Sequence, residues 1–276
     1  DSTGDLWLFG GFGLDNVDKD RLLNDLWRYD PDNATWTWIN GSDKGGKRGT
    51  YGIQGVPAED NVPGARFGSV AWTDGNGDPC LFGGYGYDKN HLYYISDLWC
   101  YDFDNAMWTW MGGPDKVAKQ GKYGAQGMVS EDSVPGARYD GVAWVDLVGD
   151  LWFFGGFGKA SSGRVDTLND LWRYYPNADL WTWISGSDKT SKPGIYGTKG
   201  TPAAANVPGT RNGSVAWTDG AGNLWLFGGS AYNSKTKRED YVNDLWRFEL
   251  PADKNMRIDT CTIKAGTTDS IKFSGF

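Results

Sequence analysis

A repeat of about 72 residues governs this chain, and all sixteen tryptophans fall at five phases of it. The clearest landmark is Phe-Gly-Gly, at Phe9-Gly10-Gly11, Phe82-Gly83-Gly84, Phe154-Gly155-Gly156 and Phe227-Gly228-Gly229, so successive phenylalanines lie 73, 72 and 73 residues apart. Asp-Leu-Trp follows each one, beginning at Asp25, Asp97, Asp170 and Asp244. Three repeats then carry Trp-Thr-Trp, starting at Trp36, Trp108 and Trp181. Three carry Pro-Gly-x-Arg ahead of Val-Ala-Trp, with the arginines at Arg66, Arg138 and Arg211 and the tryptophans at Trp72, Trp144 and Trp217. Self-similarity at a fixed period identifies the unit that stacks, and so constrains the fold more than any local signal does.

Composition narrows the class. A chain of 276 residues is long enough to bury a sizeable core. Its aromatic content of 15% supplies large apolar side chains, and its 41 glycines suit many tight turns and few helices. No apolar run reaches the roughly eighteen residues that cross a bilayer, so no membrane span is expected. A net charge of −8 argues against a nucleic-acid partner or an anionic membrane surface, and suits cationic or neutral partners. Residue 1 is Asp rather than Met, so a processed or partial chain is expected.

The second repeat reads as four short strands. Residues 67–72 form a β-rich run, 74–78 a turn cluster, and 80–82 a second strand closed by Gly83-Gly84. Residues 97–101 and 107–111 supply the third and fourth strands, and 112–137 read as a long loop. Alternation supports strands: Trp36 and Trp38 share one face, while Thr35, Thr37 and Ile39 share the other. Four antiparallel strands per repeat, joined by turns, describe one blade of a β-propeller.

The run strand–Gly-Gly, Asp-Leu-Trp-Arg-Tyr, turn, Trp-x-Trp resembles kelch repeats over roughly residues 5–250. The resemblance implies an all-β, kelch-type β-propeller, here with four repeats starting near residues 1, 66, 138 and 211. Kelch propellers commonly close with six or seven blades, and their loops are usually shorter than the 25 to 30 residues that separate fourth from first strands here. Residues 1–7 match 219–225, so the chain begins inside a repeat. Residues 251–276 break the pattern and read as strands over 257–264 and 270–273. These are expected either to close the ring or to begin a further domain. The preferred reading is a ring continued outside this chain, in a larger parent chain. Some kelch-like propellers are copper oxidases with several histidine and tyrosine ligands. His91 is the only histidine here, so no such centre, and no other cofactor, is expected.

Phase comparison yields the sharpest chemical expectation. Cys80 stands where other repeats have Trp7, Trp152 and Trp225, and Cys100 stands where they have Arg28, Arg173 and Arg247. Three repeats thus offer a Trp–Arg cation–π pair on adjacent strands. The fourth offers two thiols at cross-strand distance, which predicts a Cys80–Cys100 disulfide and an exported, oxidising setting. Two buried thiols are the alternative. Cys261 is left over, unpaired or bonded elsewhere.

The recurrent Arg66, Arg138 and Arg211, and the recurrent Asp25, Asp97, Asp170 and Asp244, read as structural, because an active site needs one distinctive constellation. Asp15, Asp18 and Asp20, and Asp30, Asp32 and Asn33, are candidates for Ca²⁺, although turn chemistry accounts for the second group. Tyr51, Tyr123 and Tyr196 align in phase within the long loops, as a binding surface or as anchors of their own loops. Residues 12–24, 85–96, 157–169 and 230–243 differ between repeats as specificity loops do, and bring Tyr87, His91 and Tyr232 forward as candidate binding residues.

The expected function is a secreted, cell-surface or periplasmic module without catalysis that presents loops to a protein or glycan. One alternative is a structural surface or filament subunit that self-assembles. Another is a carbohydrate-active enzyme using loop carboxylates such as Asp15, Asp18, Asp88, Asp166, Glu239 and Asp240. No nucleophile motif or phosphate loop appears in the sequence.

Overall fold

The computed structural model describes residues 1, 3–116, 119–250 and 272–275. Every regular element in this range is a β-strand. Two compact units emerge. The first comprises Asp1–Lys119 with Ala137–Tyr139, and the second comprises Gln120–Gly136 with the chain from Asp140 onward.

In the first unit, β1 (Leu6–Leu14), β2 (Asp20–Asp30) and β3 (Thr35–Asn40) make a three-stranded antiparallel sheet. β4 (Arg66–Phe67), β5 (Val70–Thr73), β6 (Pro79–Tyr87), β7 (Leu92–Asp102) and β8 (Met107–Gly112) form a second sheet, in which β4 and β5 both pair with β6. β9 (Arg138–Tyr139) lies against β6 and β7. In the second unit, β10 (Val142–Val145), β11 (Leu151–Lys159), β12 (Val165–Tyr175) and β13 (Leu180–Ser185) run in sequential order. The last repeat divides into two sheets. One holds β14 (Arg211–Asn212), β17 (Ser230–Asn233) and β18 (Arg238–Tyr241). The other holds β15 (Val215–Thr218), β16 (Leu224–Phe227), β19 (Leu245–Glu249) and β20 (Lys272–Gly275). The expected strand at 257–264 and Cys261 lie outside the described residues. The expected strand at 270–273 overlaps β20, which pairs with β19 as a fourth strand.

Three details differ from the sequence reading. The expected strand at 67–72 is broken into β4 and β5 around Gly68, whose φ of 65° is left-handed. The Gly-Gly pair does not end the second strand: β6 runs on to Tyr87, with a bulge between Phe82 and Gly84. Gly83 and Gly84 have φ of 69° and 112°, and a Cβ on Gly83 would meet the Arg138 carbonyl oxygen at 2.7 Å. Positive φ and that close approach together require glycine there. Consequently residues 85–96 are not a loop. They are mostly a two-stranded ribbon, and only the turn between Tyr87 and Leu92 connects its strands. The ribbon recurs at Gly11–Leu14 with Asp20–Leu23 and at Gly156–Lys159 with Val165–Leu168.

Each compact unit has its own aromatic core between sheets. In the first, Leu81, Trp99, Tyr101 and Trp108 of the second sheet are buried beneath Trp7, Phe9 and Ile39 of the first. In the second, Leu224, Leu226, Trp246 and Phe248 are buried beneath Trp144, Trp152, Phe154 and Ile184. Alternation within each strand sends one set of side chains to each face, so one sheet can pack on both sides.

Candidate binding site

The recurrent charges form a buried polar knot. Arg66 donates from Nη1 to Asp97 Oδ1 at 2.5 Å and from Nη2 to Asp97 Oδ2 at 2.8 Å. Its Nε reaches the Gly64 carbonyl at 2.9 Å. Tyr51 comes in from the long loop and donates its hydroxyl to Asp97 Oδ2 at 2.5 Å, while Trp99 Nε1 donates to the same oxygen at 2.8 Å. Asp97 and the Arg66 side chain are fully buried. The pattern repeats in the second unit, where Tyr123 and Trp172 donate to Asp170, and Tyr196, Arg211 and Trp246 donate to Asp244. Burial pushes the Tyr51 phenol well above its ordinary pKa, and the Asp97 carboxylate adds to the shift. These tyrosines anchor the long loops onto the following repeat. Backbone bridges Thr50–Val62, Lys122–Val134 and Ile195–Val207 pin the same loops. Tyr51 and Tyr123 are buried and Tyr196 is half-exposed.

Cys80 and Cys100 are opposed in the β6–β7 ladder and are joined by a disulfide, with Cα atoms 4.1 Å apart. At the same place in other repeats, the Arg173 guanidinium lies over Trp152 at 5.1 Å and that of Arg247 over Trp225 at 5.7 Å. Trp7 and Arg28 are likewise opposed.

The remaining candidates separate. The His91 side chain is exposed, with Nδ1 3.9 Å from Asp88 Oδ1. Tyr87 is half-buried opposite Leu92, and Tyr232 is half-buried opposite Glu239. Three of the carboxylates considered for catalysis or Ca²⁺ hold turns. Asp15 accepts backbone N–H groups from Val17, Lys19 and Gly45, and although burial opposes it, those bonds keep its pKa low. Asp88 accepts from the amides of Asn90 and His91, and Asp30 from those of Asp32 and Asn33. Asp166 accepts from Ser191, Glu239 from Ser230 and Asp240 from Asn233. Among the described residues, no group of three or more His, Cys, Asp or Glu side chains is placed to hold a metal ion.

One constellation does not repeat. Phe67 on β4, Tyr85 on β6, Tyr93 and Tyr94 on β7, and Tyr139 on β9 gather their rings into a single cluster. Tyr85 lies opposite both Phe67 and Tyr94 in the ladders. Ring centroids are 5.7 Å apart for Phe67–Tyr85, 5.5 Å for Phe67–Tyr139, 5.5 Å for Tyr85–Tyr94 and 4.3 Å for Tyr93–Tyr94. Tyr94 and Tyr139 stack at 5.7 Å with planes 2° apart. Four rings are half-buried and Tyr93 is 37% exposed, so the cluster has an accessible rim and a packed base. The Tyr85 and Tyr93 hydroxyls make no hydrogen bond to described residues. Burial raises the Tyr94 phenol above its ordinary pKa, with help from Tyr93, Tyr139 and Tyr85, so it is a neutral donor at physiological pH.

The sequence reading singled out none of these five as a candidate binding residue. The signal lay in phase comparison. Tyr93 stands at the ladder position of Arg21, Asp166 and Asp240, and Tyr94 at that of Leu22, Thr167 and Tyr241. Tyr85 stands at that of Phe12, Phe157 and Ser230. No family model and no curated protein matches this chain at a significant level.

Proposed function

We propose that this chain is a kelch-type β-propeller module that acts outside the cytoplasm, without catalysis, by holding a neutral glycan on the Phe67–Tyr85–Tyr93–Tyr94–Tyr139 cluster. The observation that carries the reading is that cluster: five rings from four strands, partly exposed, with Tyr93 at the ladder position that the other repeats fill with Arg21, Asp166 and Asp240. Tyrosine gives a rigid apolar face with a polar tip, so the same residue can stack on the C–H face of a sugar and hydrogen-bond its hydroxyls at small entropic cost. Placement on paired strands preorganises the rings before binding. The blade assignment is supported by the repeat and by the β5–β8 and β10–β13 sheets, each of four sequential antiparallel strands. The Cys80–Cys100 disulfide supports an oxidising compartment. No helix among the described residues is long and apolar enough to cross a membrane.

A glycan array followed by calorimetry on the strongest hit tests this. Tyr93→Ala and Tyr85→Ser should each weaken binding by about tenfold or more, equivalent to roughly 1.4 kcal/mol. Near-ultraviolet circular dichroism should retain the tryptophan bands. A hit whose affinity is unchanged in both variants, or an array without a hit beside a protein ligand that binds this surface, overturns the glycan reading.

A further inference from the structure

The chain contains three Asn-x-Ser/Thr triplets, at Asn33-Ala34-Thr35, Asn40-Gly41-Ser42 and Asn212-Gly213-Ser214. This triplet is the acceptor signal for an N-linked oligosaccharide, and the bulk of that group confines it to the surface of a folded protein. The structure separates the three.

Asn40 and Asn212 are committed to the fold. Asn40 is half-buried, its Oδ1 accepts from the Gly41 amide at 2.7 Å, and its side chain hydrogen-bonds the buried Tyr101 phenol. The backbone beside it has no spare room, since a Cβ on Gly41 would lie 2.0 Å from the Asn24 carbonyl oxygen. Asn212 is half-buried on β14 opposite Ser230, and its Oδ1 is shut off from solvent.

Asn33 stands instead at the turn between β2 and β3, where Asp32, Asn33, Ala34 and Thr35 are all exposed. Its backbone N–H donates to Asp30 Oδ1 at 3.0 Å, and its Nδ2 donates to Asp30 Oδ2 at 2.7 Å. Nδ2 carries two hydrogens, and that bond uses one. The same turn recurs between β7 and β8. There Asn105 makes both bonds to Asp102, at 2.9 and 2.6 Å, and Ala106 repeats the left-handed φ of Ala34, 55° against 53°. Asp104, Asn105 and Ala106 are exposed although their sheet is covered by the β1–β3 sheet, so exposure belongs to the turn and not to what packs on the sheet. The two turns differ in the last residue of the triplet, Thr35 in one and Met107 in the other.

We propose that Asn33 is a glycosylation site of this chain, receiving an N-linked oligosaccharide from a lipid-linked pyrophosphate donor. Nδ2 attacks the anomeric carbon of the first sugar, and the new N–C bond forms as the bond from that carbon to the pyrophosphate oxygen breaks. The lipid pyrophosphate leaves with the electron pair, and one Nδ2 proton is lost to solvent. The remaining Nδ2 hydrogen still reaches Asp30, so the turn is kept. The proposal rests on export from the cytoplasm and is independent of the tyrosine cluster.

Secretion of the full chain from cells that perform N-glycosylation tests this, with peptide mapping by mass spectrometry before and after amidase release of glycans. Release converts a glycosylated asparagine to aspartate and so marks the site. Asn33 should be occupied, with Asn40 and Asn212 bare. Asn33→Gln and Thr35→Ala should each abolish the glycan. Thr35→Ala leaves both bonds from Asn33 to Asp30 in place, so its loss does not come from a broken turn. Met107→Thr in the Asn33→Gln chain should restore one glycan, at Asn105. A bare Asn33, a glycan on Asn40 or Asn212, or no gain with Met107→Thr overturns the proposal. Disulfide mapping of the same sample tests the export reading separately. Cys80 and Cys100 found as free thiols would count against an oxidising setting whatever the state of Asn33.

Discussion

Trp36 and Trp108 occupy the same position in two successive repeats, yet Trp36 is 53% exposed and Trp108 is 1% exposed. Both sit on the fourth strand of their repeat, opposite a tyrosine on the third: Tyr29 for Trp36 and Tyr101 for Trp108. The strand, its register and its ring partner are therefore properties of the repeat. Burial is a property of the neighbour. Phe9 lies edge-on to Trp108 at 5.4 Å, and Trp7 lies 4.3 Å from Phe103 in the same covering layer. No described residue covers the β1–β3 face in that way. One sequence pattern thus yields a core residue in one sheet and an exposed apolar surface in another.

Truncating the two tryptophans probes that difference most strongly. Trp108→Ala removes a large ring from a packed core and should cost about 3–5 kcal/mol. Trp36→Ala, measured in dilute protein, should cost under about 1 kcal/mol. Urea unfolding midpoints at matched slopes measure both. Equal costs would mean that Trp36 is as enclosed as Trp108.

The polar knots sharpen the contrast. Asp97 receives Arg66, Tyr51 and Trp99 while fully buried, whereas Asp25, its counterpart in the β1–β3 sheet, is half-buried and receives Trp27 at 2.6 Å. Arg66→Met strands a buried carboxylate and should cost about 3–4 kcal/mol. Asp25→Asn should stay within about 1 kcal/mol. A mild Arg66→Met would show that water reaches Asp97 in the folded protein.

Much of this was legible before the structure, for a physical reason. Period-two alternation and a fixed repeat specify strands and faces, and phase comparison located the Cys80–Cys100 bridge because both partners change together. The Gly-Gly bulge was not legible, because positive φ suits a strand end as well as a strand interior. Once the bulge continued the strand, residues 85–96 became a paired ribbon instead of a variable loop. The tyrosine cluster was missed because its rings come from β4, β6, β7 and β9, positions 67 to 139, and reading one repeat at a time never brings them together. The Tyr51–Asp97 bond was missed for the same reason, with 46 residues separating the partners.

The disulfide supplies a third, smaller contrast. It closes a 20-residue separation in the second sheet, where the other repeats use Trp and Arg. Cys80→Ala with Cys100→Ala should lower stability by about 2–3 kcal/mol, mainly by freeing the unfolded chain. Thermal unfolding with and without reductant measures this, and reductant should have no effect on the double variant. Installing Trp and Arg at the two positions should recover part of the loss, since that pair serves the same cross-strand site elsewhere at 5.1 Å.

The smallest expected effect concerns acid. Burial works against the Asp244 carboxylate, but hydrogen bonds and charge from Arg211, reinforced by Trp246 and Tyr196, hold its pKa below the usual carboxylate range. A carboxylate depressed in the folded state adds stability above its unfolded pKa of about 3.9, and that stability is lost as pH falls through the lower folded value. Stability of the second compact unit should therefore decline below about pH 4. Arg211→Met should flatten the part of that decline that belongs to Asp244, while lowering stability at neutral pH. Following the indole Nε1–H NMR signal of Trp246, which donates to Asp244 at 2.7 Å, isolates this site from the other carboxylates. An acid limb of unchanged steepness in Arg211→Met would show that the arginine serves the knot as packing and hydrogen-bond geometry alone, and that its charge does not set the protonation of the aspartate.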